Sequence, residues 1–289
     1  DDKLKQQKRK INALIQEAEE MIEKITPFSF EEFRQQFFYK PAKEKSWDLY
    51  ELFDEYILLL DTQDRVGSAT AYRTAKNALM KFNPRLTLKT LTTEALEHFE
   101  QYLSAKRSSP STVGIYMRHL RAIVNIAIKK ELLLPNKYPF KNYIIPASRN
   151  IKKALSREDL KKILDFTTND LRQEMACDYW IMSFLCNGMN MADICRLKQH
   201  NYTGDMIYFY RVKTLHTKKH NLKPIKVYLN PRAKTIIEKY KVEPALKDAF
   251  LFAILEEGLS AKTIKSRISA FIKEINKQMK VIAYSLRSE

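Results

Sequence analysis

Two stretches of the 289-residue chain set arginine and lysine beside short polar side chains at helical spacing: Arg73, Lys76 and Asn77, and further on Arg118, His119, Arg121 and Asn125. Guanidinium and ammonium groups pair with phosphate oxygens, and arginine and asparagine also hydrogen-bond base edges in a major groove. The chemistry on offer is recognition of a polyanion; a merely solvated helix face is the alternative for each stripe. Basic side chains gather again at Arg149, Lys152 and Lys153, at Lys218 and Lys219, and at Lys262, Lys265 and Arg267, the last beside Ser266. Contacts of this kind mostly position a duplex, and only a few of them read its sequence.

Formal net charge is +17, made up of +5 over residues 1–145 and +12 over residues 146–289, while residues 47–100 are net acidic. Clustered basic charge is the footprint of a phosphate-backbone binder, although a ribosomal or membrane-surface protein carries the same total. Five glycines and no GxGxxG or GxxxxGK[ST] pattern leave no phosphate-cradling loop to build. Cys177, Cys186 and Cys195 lie nine residues apart in apolar context without a CxxC pair or nearby histidine, so they read as buried reduced thiols and not as metal ligands. No cofactor and no metal is expected. The sequence opens on no signal peptide, and no apolar run reaches the length of a membrane span. A soluble protein of the cell interior is expected.

These side chains need elements to hold them. Residues 1–26 have the spacing of one charged helix, stopped by Pro27, and a polar linker follows around Lys40–Ser46. From Trp47 four amphipathic helices are predicted. The first carries Leu49, Leu52, Phe53, Ile57 and Leu60, and the second is given Ser68 as N-cap. The third runs through Ala95–Leu103, and the fourth starts at Ser109-Pro110 with its inner stripe on Val113, Leu120, Ile123 and Val124. Three prolines and five basic residues between Leu134 and Lys153 predict an extended basic connector. A helix restarts after Ser156, with Asp159 three residues on.

Asn187-Gly188 then closes a long apolar helix, and Asp193 falls in the first turn of the next, with Ile194 and Leu197 turned inward. Taken alone, this is a tight helical hairpin found in any α-rich protein. The periodicity next switches to alternation through Met206–Arg211 and again at Ile225, Val227 and Leu229, which predicts a small antiparallel sheet with Lys213 and a basic loop between its strands. Helices are predicted again at Arg232–Tyr240, Ala249–Glu256 and Ser260–Lys280. The fold class is mainly α with a small antiparallel β-sheet.

From Trp47 onward this order of elements resembles the tyrosine recombinase (phage-integrase) family, and it is similar to integrases carried by mobile elements of Bacteroides-like bacteria. Gly188-Met189-Asn190 with Asp193 resembles the family's Gly-x-Arg turn and its acidic residue, Arg211-Val212-Lys213-Thr214 its β-hairpin lysine, and Tyr284-Ser285-Leu286-Arg287 its His-x-x-Arg box. The resemblance implies a helical core-binding (SAM-like) domain plus a tyrosine-recombinase catalytic domain. The boundaries are 1–46 for the N-terminal helix and linker, 47–146 for the core DNA-binding domain and 147–289 for a C-terminally incomplete catalytic domain. It implies strand exchange through a 3′-phosphotyrosyl intermediate. Arginines clamp the phosphate, Lys213 donates a proton to the leaving 5′-oxygen, and a tyrosine attacks in line.

The chain departs from that pattern. Asn190 stands where relatives place the first arginine, and Arg211, two residues before Lys213 on the expected strand, is the candidate replacement. None of the fifteen tyrosines holds the nucleophile's place, so this chain is expected to bind DNA without cleaving it. The alternatives are a non-catalytic DNA-binding regulator on the same fold and a basic RNA-binding helical protein. Double-stranded DNA is the partner implied, with a monomer free in solution, a tetramer on DNA, and a bacterial cytoplasmic, nucleoid-associated location.

Overall fold

A computed structural model describes residues 2–38, 48–147, 154–215, 222–243 and 248–288. It divides into two compact units, residues 1–150 and 151–289. It is mostly helical with one two-stranded antiparallel sheet.

The first unit begins with α1 (Asp2–Lys24) and α2 (Phe30–Phe38), which pack on each other. Phe33 stacks on Phe37 at 5.1 Å along α2. Four helices follow: α3 (Leu49–Thr62), α4 (Val66–Phe82), α5 (Thr93–Ala105) and α6 (Pro110–Lys129). Three start on a side-chain cap. Asp48 accepts from the Tyr50 amide at 2.9 Å, Thr92 from Ala95 at 3.3 Å, and Ser109 from Thr112 at 3.2 Å ahead of Pro110. Each cap satisfies an amide that the helix itself leaves open.

The expectation for α4 is corrected. It starts at Val66, so Ser68 lies inside its first turn and caps nothing. Asp64 takes a left-handed backbone (φ 54°) and the Arg65 amide bonds the Leu60 carbonyl at 2.9 Å, so α3 turns directly into α4. One core results, with Leu49, Phe53, Leu60, Ala69, Leu96, Met117 and Ile123 essentially sealed from solvent. Phe140 closes it, with Tyr143 and Ile145 packed alongside. Gly114 in the first turns of α6 is required by this last segment: a Cβ there would overlap the carbonyl oxygen of Pro146.

The second unit comprises α7 (Arg157–Leu164), α8 (Leu171–Leu185), α9 (Met191–Ile194), β1 (Met206–Phe209), α10 (Val212–Leu215), β2 (Ile225–Tyr228), α11 (Pro231–Tyr240) and α12 (Ala261–Ser288). Ser156 caps α7 through the Asp159 amide at 3.0 Å. The turn between α8 and α9 puts both Asn187 and Gly188 in the left-handed region, with φ of 60° and 71°. It is locked by Ser183, whose carbonyl accepts from Gly188 at 2.9 Å and whose hydroxyl donates to the Met189 carbonyl at 2.7 Å. In the sheet Ile207 pairs with Val227, and both are buried beneath the ladder.

Three expectations are corrected here. β1 ends at Phe209, and residues 212–215 form a helical turn, so Arg211 and Lys213 do not share a strand face. The segment predicted as a helix over Ala249–Glu256 is not helical: Phe250 and Phe252 form β-bridges with Lys198 and Lys241, and a turn follows at residues 253–254. Its Leu251 amide donates to Leu197 at 2.7 Å, its Ala249 carbonyl accepts from Gln199 at 2.9 Å, and its Leu251 carbonyl accepts from Val242 at 3.0 Å. A short apolar run satisfies helix and strand equally, and here neighbouring backbone decided. Lastly, α12 continues past Lys280 to Ser288 without a loop. Ile268, Ile275 and Ile282, seven residues apart and buried, hold it against the rest of the unit. Among the described residues no helix is long and apolar enough to cross a membrane.

Candidate nucleic-acid interface

In the first unit α4 and α6 carry the basic stripes, but the two are not equivalent. Arg73 bonds Asp61 at 2.9 Å and Lys76 bonds Asp54 at 2.6 Å, so the charges of α4 are already matched by α3. Arg118 and Arg121 are exposed and form no ion pair among the described residues. Asn125 is exposed one turn beyond Arg121. His119 belongs to the packing. Its Nδ1 lies 2.7 Å from the Ile115 carbonyl, and its ring meets Tyr72 edge-on at 4.3 Å between centroids. Burial, aided by Arg118, holds its pKa below the usual histidine value, so the ring is neutral near pH 7. The available face is therefore narrower than the sequence stripe: Arg118, Arg121 and Asn125.

The second unit builds its candidate site on the α8–α9 turn. Asn190 is the N-cap of α9, and its Oδ1 accepts from the Ala192 amide at 2.9 Å. Asp193 is buried and its Oδ1 accepts from the Val212 amide at 3.3 Å. That bond ties the segment bearing Arg211 and Lys213 to α9, and it gives a physical reason for β1 to end where it does. Burial raises the Asp193 pKa, against the opposing pull of the Val212 amide, Arg211 and Arg196. Lys213 and Arg211 are exposed on either side of Val212.

A groove of about 500 Å³ opens here, lined by Asp193, Arg196, Lys198, Tyr210, Val212 and Ile264 among others. Arg196 is half-buried in it and donates from Nη1 to the Ala192 carbonyl at 2.9 Å. Burial lowers its pKa, with Asp193 opposing the shift. Lys198 bonds Glu257 at 3.1 Å and sits 5.0 Å from the Phe250 ring centre.

The bond from the Val212 amide to Asp193 thus holds the segment bearing Arg211 and Lys213 against the helix that Asn190 caps. Tyr284 and Arg287 are not held there. Ile264 lines the groove near the start of α12, and Arg287 lies 23 residues further along the same unbroken helix. At 1.5 Å per residue that is roughly 35 Å, several times the reach of an arginine side chain. The expectation that Tyr284–Arg287 supplies a second arginine box beside Asn190 is corrected. Arg287 instead lies in the last turn of α12, beside Leu286, whose carbonyl accepts from Lys162 of α7 at 3.1 Å. Arg267 is engaged too, with Glu256 at 2.8 Å. Arg149, Lys152, Lys153, Lys218 and Lys219 lie outside the described residues.

Two features escaped the sequence reading. Arg196, between Ile194 and Leu197, carries no motif of its own in the sequence; only its half-burial beside Asp193 marks it. Lys273, Lys277 and Lys280, with Asn276 among them, line a shallow groove on α12. Their i, i+4, i+7 spacing was readable as a single basic helix face.

Residues 48–145 match the family described as Phage integrase SAM-like domain. No curated protein matches the chain. Among solved structures it is similar to a lambda integrase tetramer bound to a Holliday junction, with TM-score 0.52 and 16% identity, over 78% of this chain and 66% of that one, just under two thirds of its length. It is also similar to the Tn1549 transposon integrase in complex with a circular intermediate DNA, with TM-score 0.53 and 14% identity, over 80% and 79% of the two chains. A lambda integrase dimer bound to a COC′ core site matches with TM-score 0.51 and 15% identity, over 79% and 81%. The class this defines is one of fold: an integrase-like arrangement that includes a phage-integrase SAM-like domain.

Proposed function

We propose that the protein is a site-specific DNA recombinase of the tyrosine-integrase type, which binds duplex DNA and exchanges strands through a 3′-phosphotyrosyl intermediate. The observation that carries this reading is the match of residues 48–145 to the integrase SAM-like domain. The similarity of fold to integrases held on DNA supports it. In this reading Arg118 and Arg121 meet phosphates or base edges, and the α12 lysines and the basic connector with Arg149, Lys152 and Lys153 add phosphate contacts. Arg196 and Arg211 supply the guanidinium charge that Asn190 lacks, stabilising the non-bridging oxygens as charge develops there. Lys213 donates the proton to the leaving 5′-oxygen. Asp193 is a positioning residue, since it acts through the Val212 amide on the segment that carries Lys213. No tyrosine is assigned as nucleophile, and Arg287 has no part at this site. Four copies assemble on the DNA, in the bacterial cytoplasm.

A second reading, a DNA-binding regulator without chemistry, is favoured by one specific observation: Asn190 is uncharged and its side-chain oxygen is occupied as a helix cap. Duplex binding tests both. Fluorescence anisotropy across potassium chloride concentrations is expected to give an affinity that falls steeply, with a slope of about −5 in log K against log salt for six neutralised phosphates. Absence of salt-dependent duplex binding overturns both readings. The full-length protein, incubated with a nicked suicide duplex, separates them. A denaturant-resistant protein–DNA adduct that Lys213→Ala diminishes supports the recombinase, and binding without an adduct supports the regulator.

A further inference from the structure

Helix α1 repeats its apolar residues as a two-stranded coil does. Leu4, Ile11, Ala18 and Ile25 recur every seven residues, with Leu14 and Met21 three residues after the second and third of them. α2 covers only part of this stripe. Ile25 is buried, yet Ile11 is 57% exposed, Leu14 53%, Ile15 51% and Ile22 43%. Single exposed hydrophobics are ordinary, but four within three turns of one helix make a contiguous apolar strip.

The charge pattern says what covers it. The first ten residues carry five Lys or Arg against two Asp, whereas residues 15–23 carry four Glu and no Lys or Arg. Cations at the N-terminus and anions at the C-terminus oppose the helix's own dipole, so the arrangement does not serve the helix in isolation. It does serve two copies running in opposite directions, where each basic half lies along the other's acidic half. Side by side in the same direction, like charges would meet.

We propose that α1 pairs antiparallel with α1 of a second copy of this chain. Ile11 then faces Leu14 of the other copy, while Gln7 meets Ala18. The one polar layer on each side fixes the register. With so few apolar layers the pair is a weak dimer in the absence of DNA, and not the free monomer that the family resemblance implies.

Sedimentation velocity of the 289-residue chain without DNA, from low to high micromolar, is expected to show a concentration-dependent dimer. Leu14→Glu is expected to abolish it while leaving the thermal transition of the four-helix core in place. Direction is read by cross-linking: Cys177, Cys186 and Cys195 are buried, so Gln7→Cys and Ala18→Cys chains, mixed and oxidised, report on α1 alone. A mixed link between positions 7 and 18 is expected. A chain that stays monomeric, a dimer that survives Leu14→Glu, or only 7–7 and 18–18 links would each overturn the proposal.

Discussion

Asn190 separates two demands on the α8–α9 turn, and substitutions there weigh them. Its backbone is extended (φ −64°, ψ 135°) and its Oδ1 holds the Ala192 amide at 2.9 Å, so the side chain closes the first turn of α9. Asn190→Ala removes the acceptor and leaves that amide to solvent, at a cost of about 1 kcal/mol. For a unit of this size the thermal midpoint is expected to fall by about 3–4 °C. Asn190→Asp keeps the acceptor and adds a charge that the helix N-terminus favours, so its midpoint is expected within about 1 °C of wild type. Asn190→Arg loses the cap and is expected to match Ala in stability, but it adds a guanidinium to the turn whose Asp193 holds the segment carrying Lys213. Duplex affinity then rises, and the salt slope steepens by about one charge. Calorimetry of the three variants, with anisotropy over a salt series, gives both readouts. An Ala variant as stable as wild type would refute the capping role. An Arg variant binding no more tightly than Ala would refute the placing of a phosphate at this turn.

Three further outcomes follow from the same geometry. Arg118→Ala and Arg121→Ala are each expected to weaken duplex binding and to reduce the salt slope by about one, whereas Arg73→Ala and Lys76→Ala, whose charges Asp61 and Asp54 already match, change the slope less; anisotropy checks all four. For Asp193 the folded-state pKa is raised above the ordinary 3.8, so its ionised form is a cost that disappears as pH falls through the folded value. Asp193→Asn, which still accepts the Val212 amide, is therefore expected to gain stability relative to wild type as pH rises from about 4 to 7, as read by urea unfolding; the opposite trend would mean that Arg196 and Arg211 outweigh burial. Burial pushes the thiols of Cys177 and Cys186 up to about 11 and that of Cys195 to about 12, so Ellman's reagent at pH 8 is expected to label none of them until the second unit unfolds.

Much of the helical framework was legible because caps and apolar stripes agreed: Ser109-Pro110 with Val113, Leu120 and Val124 allows one helix in one orientation. The turn at Asn187-Gly188 was legible for the same reason, since few residue pairs tolerate two successive left-handed positions. What misled was short-range spacing without its context. Tyr284-Ser285-Leu286-Arg287 has the spacing of a catalytic box, yet the buried heptad of Ile268, Ile275 and Ile282 leads up to it, and a continuous helix carries Arg287 away from the groove that Ile264 lines. Phe250-Leu251-Phe252 reads as helix or strand by hydrophobicity alone, and only its backbone partners at Leu197 and Val242 decide. The pairing of Arg73 and Lys76 with α3 acids across a helix interface has no local signature either, because it joins residues 12 and 22 positions apart. Arg196 was hidden by its ordinariness.

Gly114 occupies a notch that serves two neighbours at once. On one side the carbonyl of Pro146 lies where any side chain at 114 would begin; on the other, the Arg118 guanidinium comes within 3.1 Å of the same point. The strand of chain that leaves the four-helix core and the arginine offered to a ligand thus share one wall. The exit of the chain at Pro146 and the seat of the Arg118 guanidinium both depend on the missing methyl of a single glycine.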